Sequence, residues 1–192
     1  SLFNQDISGW NTSSVTSMDS MFQDSSFDKY IGSWDVSNVE NMSHMFRGAA
    51  HFNQDISAWD TGNVTNMEAM FHTAKEFNQD LSAWDTKNVT YMSSMFQDAS
   101  SFNNLGQDLS WNVSNVQNMQ FMFDTAKSFN QYISAWDTGK VTNMRFMFHA
   151  AKEFNQDISA WDTGKVTNMY AMFEDASNFN NLGQDLSWNV SN

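Results

Sequence analysis

The sequence predicts a repeat solenoid, with short parallel strands on one face and short helices or helical turns on the other. One pattern recurs along all 192 residues, its opening Phe returns at nearly constant steps, and its apolar residues keep fixed columns. The opening residues are Phe3, Phe27, Phe52, Phe77, Phe102, Phe129, Phe154 and Phe179. A period of about 25 residues is typical of proteins in which each unit buries its apolar face against its neighbours.

The strand is located by comparing variants of the repeat. Leu109, Trp111 and Val113 alternate with polar residues, which predicts a strand whose three apolar side chains point inward. Most other repeats carry one more residue before the Trp. In the third repeat this residue is Ala58, which predicts a β-bulge that keeps Trp59 inside and turns the next residue outward.

The helix is predicted from the Met-x-x-Met-Phe-x-x-Ala segment. Met67, Met70, Phe71 and Ala74 are spaced i, i+3, i+4, i+7, which places them on one helical stripe. Residues 65–66 are candidates for its N-cap. Thioether sulfur can ligate copper, but the strict spacing of all 14 Met favours a core position.

Composition excludes several classes of function. The net charge of -13 argues against nucleic acid as a partner, since neutralising phosphates needs clustered Lys and Arg, and it disfavours an anionic membrane surface. The absence of Cys excludes disulfides and thiolate metal sites. No signal peptide or run of apolar residues indicates membrane insertion in this segment. Residues 1–192 are expected to form one domain of about eight repeats, excerpted from a longer array.

Two columns of Asp are the candidate binding surfaces. We predict a ligand- or partner-binding face at Asp35, Asp60, Asp85, Asp137 and Asp162. Carboxylates on adjacent strands, ~4.8 Å apart, repel one another. The column must therefore stay hydrated, bind cations or meet a basic partner. A calcium site is a possibility at Asp55, Asp60, Asp80 and Asp85, against a solvated acidic face or Asp-capped turns; no other cofactor is expected.

Asn and Thr also recur in columns. The Asn that follows the opening Phe predicts a ladder of side-chain amides that satisfy the turns. Sequons for N-glycosylation, relevant to a secreted eukaryotic protein, occur at Asn11, Asn41, Asn63, Asn88, Asn112 and Asn189. Thr columns suggest an ice-binding solenoid as a remote alternative. They are Thr61, Thr86, Thr138 and Thr163, expected to be buried, and Thr65, Thr90, Thr142 and Thr167.

The repeat resembles a known family in the segments Trp34-Asp35-Val36-Ser37-Asn38-Val39 and Phe52-Asn53-Gln54-Asp55-Ile56-Ser57. It is similar to BspA-like leucine-rich-repeat surface proteins, in the 25- to 26-residue version common in mycoplasma, Listeria and marine-microbe proteins. The resemblance covers the whole chain. It implies a leucine-rich-repeat-like fold on a secreted or surface-anchored protein, with adhesion as the usual suggestion.

These observations predict an extracellular or cell-surface module that binds an unknown protein or glycan. Exposed residues that vary between repeats, namely Lys87, Tyr91, Arg145 and Tyr170, are expected to tune the partner. The alternative is a building block that associates end to end into a fibre or surface layer. An enzyme is not expected, because no phosphate-binding loop, zinc spacing or acid–base pair appears.

Overall fold

The chain forms a stack of coils, one for each sequence repeat. The structure is a computed structural model that describes residues 2–189. Each coil meets the next through an isolated parallel β-bridge. The bridges pair Ser17 with Asn41, Asn41 with Asn66, Asn66 with Tyr91, Tyr91 with Asn118, Asn118 with Asn143, and Asn143 with Asn168.

The predicted leucine-rich-repeat-like solenoid of strands and helices is wrong. Across residues 2–189, β-structure is confined to those six bridges and forms no sheet. The helical segments in the same range are two three-residue 3₁₀ turns, Asn104–Gly106 and Asn181–Gly183. The rest of each coil consists of tight turns and the short links between them.

Overlapping turns replace the predicted helix. In the third coil the backbone N–H of Met70 donates to the carbonyl of Met67 at 3.3 Å, and that of Ala74 to Phe71 at 3.0 Å. Ala69 lies inside the first of these turns and Thr73 inside the second, with φ of 51° and 60°. An α-helix requires right-handed φ at every residue, so these two positions alone exclude it.

The remaining amides of this segment cross to the next coil. The N–H groups of Met67, Ala69, Phe71 and Thr73 donate to the carbonyls of Tyr91, Ser93, Met95 and Gln97 at 2.8–2.9 Å. Alternate amides thus close a turn or join two coils. This division satisfies the buried backbone without a helix or a strand.

Turns also replace the predicted strand and its bulge. The N–H of Trp59 donates to Ile56 at 3.2 Å, and the N–H of Val64 donates to Thr61 at 2.9 Å. The inward direction predicted for Trp59 is confirmed, since 3% of it is exposed, and Leu109 is fully buried. The sequence therefore predicts which side chains point inward, but it does not predict the backbone conformation that carries them.

Stacked aromatic rings fill the centre of the coils. Where the fourth repeat passes into the fifth, Phe96 and Phe102 lie face to face with ring centroids 3.8 Å apart. Between coils, Phe96 stacks on Phe71 and on Phe123 at 5.6 Å, and Trp84 stacks on Trp111 at 6.4 Å. Rings in offset stacks stabilise the fold by more than the burial of their surface alone.

Polar ladders run beside the aromatic stacks. The indole N–H of Trp84 donates to the carbonyl of Ile56 in the preceding coil at 3.1 Å. The predicted Asn ladder is confirmed: the side-chain oxygen of Asn53 accepts the N–H of Asn78 at 2.9 Å, and that of Asn78 accepts the N–H of Asn103 at 2.8 Å. These ladders fix the register of one coil on the next.

Candidate ligand-binding site

The Asp column predicted to bind a partner caps turns. Each carboxylate accepts the backbone N–H two residues later. The pairs are Asp35 with Ser37 at 3.0 Å, Asp60 with Gly62 at 3.1 Å, Asp85 with Lys87 at 3.1 Å, Asp137 with Gly139 at 3.1 Å, and Asp162 with Gly164 at 2.9 Å. This is the Asx-turn, which explains the recurrence of Asp without a ligand. Partner binding by this column stays a prediction.

The second Asp column also caps turns. Asp55 and Asp80 accept the N–H groups of Ser57 and Ser82, both at 2.9 Å. Within residues 2–189, no three His, Asp or Glu side chains come together in a group that could hold a metal ion. Calcium binding at Asp55, Asp60, Asp80 and Asp85 stays a prediction. Among the described residues these carboxylates are not gathered into a group that could hold the ion.

Hydrogen bonds from Ser lower the pKa of two of these turn carboxylates, Asp35 and Asp55. The Ser37 hydroxyl donates to Asp35 at 2.6 Å and, together with the Ser37 amide, lowers the pKa of Asp35. The hydroxyl and amide of Ser57 lower the pKa of Asp55 in the same way. Asp35 and Asp55 therefore remain charged well below neutral pH.

The predicted sequons lie in the hydrogen-bonded turns. The amide nitrogens that would carry a glycan at Asn63 and Asn88 donate to carbonyls of the preceding coil at 2.6 and 2.7 Å. The side-chain oxygens of Asn11, Asn41 and Asn112 accept backbone N–H groups. Asn189 closes the described range, and its carbonyl accepts the Thr163 hydroxyl at 3.1 Å. Glycosylation stays a prediction. At Asn63 and Asn88 a glycan would have to break these hydrogen bonds.

The two Thr columns differ in exposure. Thr61, Thr86, Thr138 and Thr163 are buried, as expected. Their hydroxyls donate to carbonyls of the next coil. Thr65, Thr90, Thr142 and Thr167 lie toward the surface and donate to the preceding coil. Ice binding by these columns stays a prediction.

A cluster of aromatic rings around one arginine interrupts the repeat. We call Phe121, Arg145, Phe146 and Tyr170 the aromatic–arginine cluster. The Arg145 guanidinium lies 5.7 Å from the ring centre of Phe121, 5.0 Å from Phe146 and 5.5 Å from Tyr170. Phe121 and Phe146 stack at 5.2 Å, and Tyr170 meets Phe146 edge-on at 5.3 Å. Cation–π attraction holds the charged group among the rings.

The cluster is built on strained backbone. Phe121 and Phe146 have φ of 59° and 54°, in the left-handed region that bulky side chains avoid. Their counterparts in other coils include Ser20, His44 and Ala69, which have the same sign of φ. The turn thus imposes the conformation, at a cost of order 1–3 kcal/mol per residue. Bulky rings at such positions are the kind of outlier that points to function.

A hydrogen-bonded His–Asp pair and a shallow depression border the cluster. His149 meets the edge of Phe146 at 5.2 Å and bonds to Asp124 at 2.7 Å. The ion pairs of residues 2–189 do not include Arg145, so no carboxylate in that range lies within 4.0 Å of it. A shallow depression of about 330 Å³ is lined by Arg145, Asn168 and Tyr170.

Half of this cluster could be predicted from the sequence. Arg145 and Tyr170 were predicted to be exposed and variable; Arg145 is exposed, and Tyr170 has 65% of its surface exposed. Phe121 and Phe146 were missed, although they replace Ser, His or Ala in their column. That break in an otherwise small or polar column was the available signal.

We expect His72 to make the fold sensitive to mild acid. Burial lowers the pKa of His72 below 6.5, with Arg47 adding to the effect and Asp98 and Asp124 opposing it. Because the unfolded chain then binds more protons, this stability is complete above pH 6.5 and is lost as the pH falls below it. Urea denaturation at pH 7.5 and at pH 5 measures this change in the free energy of unfolding.

The matched variant is His72→Gln, since Gln23 and Gln97 hold the same column. The variant should lose less stability between pH 7.5 and pH 5 than the parent chain. An equal loss in both proteins would show that His72 does not cause the dependence.

No helix in the described part of the chain is long and apolar enough to cross a membrane. No curated protein and no solved structure matches the chain. One family model matches it three times, at residues 1–55, 23–109 and 104–192. These overlapping matches cover the whole sequence and confirm that it is a repeat protein. The chain belongs to the family described as "Mycoplasma protein of unknown function, DUF285".

Proposed function

We propose that the chain is a binding module of a secreted or cell-surface protein, and that the aromatic–arginine cluster is its site for a protein or glycan ligand. The observation that carries this proposal is the loss of repeat identity around Arg145, where three aromatic rings gather on a charged group. Turn capping accounts for the two Asp columns, and core packing accounts for the Met and Phe columns. Neither explains why rings replace Ser, His or Ala around Arg145.

The composition of the cluster supports recognition. Tyr and Arg are enriched among residues that dominate binding energy, because they combine large contact area with directed polar groups. Tyr170 keeps 65% of its surface exposed beside the guanidinium. The adjoining depression offers a ring face, a charge and the Asn168 side chain in one place. Small-ligand sites combine apolar walls with a few placed polar groups in this manner.

The resemblance to BspA-like surface proteins supports an exported location and an adhesive role. It rests on the Trp-Asp and Phe-Asn-Gln-Asp segments and carries no binding residue over to this chain. Protease treatment of intact producing cells tests the location. Loss of the protein before lysis is expected, whereas full protection until lysis would contradict export.

Binding through the cluster is tested on a glycan array with the fluorescently labelled chain. We expect a signal on a subset of glycans, and Tyr170→Ala should abolish it by removing the exposed ring. The matched control is Tyr30→Ala. Tyr30 is similarly exposed, at 51%, but lies in the column of Asp55 and Asp80.

The proposal fails if Tyr170→Ala and Tyr30→Ala weaken the signal equally, or if neither does. Circular dichroism of each variant must match the parent chain, so that lost binding is not lost folding. End-to-end assembly and ice binding, the other predicted functions, stay predictions.

A further inference from the structure

We infer that the cluster is one end of a binding strip for an acidic oligosaccharide, in which Arg145 takes the carboxylate of a uronic-acid sugar. The inference deepens the proposed function and rests on it. It follows from the charge state of Arg145, from the pairing of the nearby backbone, and from a second depression on the adjoining coils.

The first step is the unmatched charge of Arg145. The chain holds 22 acidic and nine basic residues, yet the guanidinium has no acidic partner within 4.0 Å among residues 2–189. It lies among the rings of Phe121, Phe146 and Tyr170. A guanidinium packed among rings keeps N–H groups available for a ligand, and a carboxylate matches its planar fork with two parallel hydrogen bonds.

The second step favours a sugar over a peptide. A peptide that adds as an extra strand needs free backbone groups at an edge, but the N–H groups of Phe121, Met144 and Phe146 donate to the next coil at 2.8–2.9 Å. A phosphopeptide needs several arginines, and the described cluster contains one. Tyr170 and Asn168 instead offer a ring face and a short amide, which suit the apolar face and the hydroxyls of a sugar.

The third step extends the site. A depression of about 420 Å³ lies on the preceding coils and is lined by Thr90, Tyr91, Gln117, Asn118, Thr142 and Asn143. Asn143 is paired by a β-bridge with Asn168 of the first depression, so the two adjoin. Tyr91 is 58% exposed and supplies a second ring. Tyr91 and Asn168 lie three bridges apart, or about 14 Å at ~4.8 Å per step, which an oligosaccharide spans and one sugar does not.

The overall negative charge opposes an anionic ligand, but its reach is short. At physiological ionic strength, charges separated by more than about 8 Å are largely screened. The side chains beside Arg145 are neutral at Gln120, Asn143 and Asn168; the neighbouring column holds Asp124, which is bonded to His149, and the exposed Glu174. A carboxylate that pairs directly with Arg145 is screened far less than any acidic group beyond this distance.

Saturation-transfer NMR with sodium glucuronate, glucose and sodium acetate tests the carboxylate step. We expect glucuronate to bind and the other two to give little signal. Arg145→Gln should weaken glucuronate about tenfold or more, and Arg145→Lys by less, since it keeps the charge without the fork. Acetate binding as well as glucuronate, or an unchanged Arg145→Gln variant, overturns the inference.

A tetrasaccharide of alternating glucuronic acid and N-acetylglucosamine tests the strip. It should bind more tightly than glucuronate, and Tyr91→Ala should weaken the tetrasaccharide while leaving glucuronate unchanged. Equal affinity for the two probes would overturn the assignment of the second depression to the binding site. A Tyr91→Ala variant that affects both probes, or neither, would overturn it too. A Glu-rich peptide that competes for the site would assign it to a protein ligand.

The failure of this inference is distinguishable from that of the proposed function. If the array shows neutral glycans that need Tyr170, and glucuronate binds no better than glucose, the acidic-sugar assignment fails and the binding module stands. If no array signal depends on Tyr170, the proposed function fails as well.

Discussion

Replacing Phe96 by Ala should lower the free energy of unfolding by about 3–5 kcal/mol, near the limit for one core substitution. Phe96 is fully buried, and its ring contacts Phe102 at 3.8 Å and both neighbouring coils at 5.6 Å. The substitution therefore opens a cavity in the stack that joins three coils. Urea denaturation followed by Trp fluorescence measures the loss.

Phe146→Ala is the matched control for that experiment. Phe146 is partly exposed and belongs to the aromatic–arginine cluster, so its removal leaves no closed cavity. We expect a loss of about 1 kcal/mol. If the two variants lose the same stability, the aromatic stack is not what holds the coils together.

Replacing Asn104 by Asp should cost at least about 3 kcal/mol, although the two side chains have nearly the same shape. Asn104 is fully buried; its oxygen accepts the N–H of Leu81 at 2.6 Å, and its nitrogen donates to Gln107 at 2.9 Å and Asp108 at 3.3 Å. A carboxylate would face those two carbonyls without a proton to donate. It would lose both bonds and gain a buried charge.

Two further variants serve as comparisons for Asn104→Asp. Asn181→Asp repeats the change in the second copy of this turn, where the side chain makes equivalent bonds to Ile158 and Gln184, and should also destabilise. Asn63→Asp changes an exposed amide that makes one bond, to Ser37, and should cost about 1 kcal/mol or less. A small loss at Asn104 and a large one at Asn63 would contradict this assignment.

The inward columns could be predicted from the sequence, whereas the backbone could not. Met67, Met70, Phe71 and Ala74 are all fully buried, as their spacing indicated. The ends of a tight turn are three residues apart, so successive turns reproduce the i, i+3, i+4, i+7 spacing of a helix. Their amides pair with a coil about 25 residues away, which no local pattern reveals.

One local signal against a helix was present in the sequence. The position with left-handed φ near the end of the segment is occupied by Asp24, Gly48, Asp98 and Asp175 in four coils. Gly and Asp tolerate that conformation better than most residues and are poor helix formers. Ala150 at the same position masks the signal, because Ala is the best helix former.

The functional site was partly predictable for a related reason. Repetition suggests functional columns, but Asp60 and its equivalents recur because every coil needs the same capped turn. Phe121 and Phe146 depart from the repeat and come together only because consecutive coils stack. In this chain, function is best sought where the repeat is broken.

The central claim is that the ligand binds at the aromatic–arginine cluster rather than on the Asp columns. Amide chemical-shift mapping with the glycan that gives the strongest array signal tests it most directly. The account predicts shifts concentrated at Phe121, Arg145, Phe146 and Tyr170. Shifts concentrated along Asp35, Asp60, Asp85, Asp137 and Asp162, with none at the cluster, would contradict it.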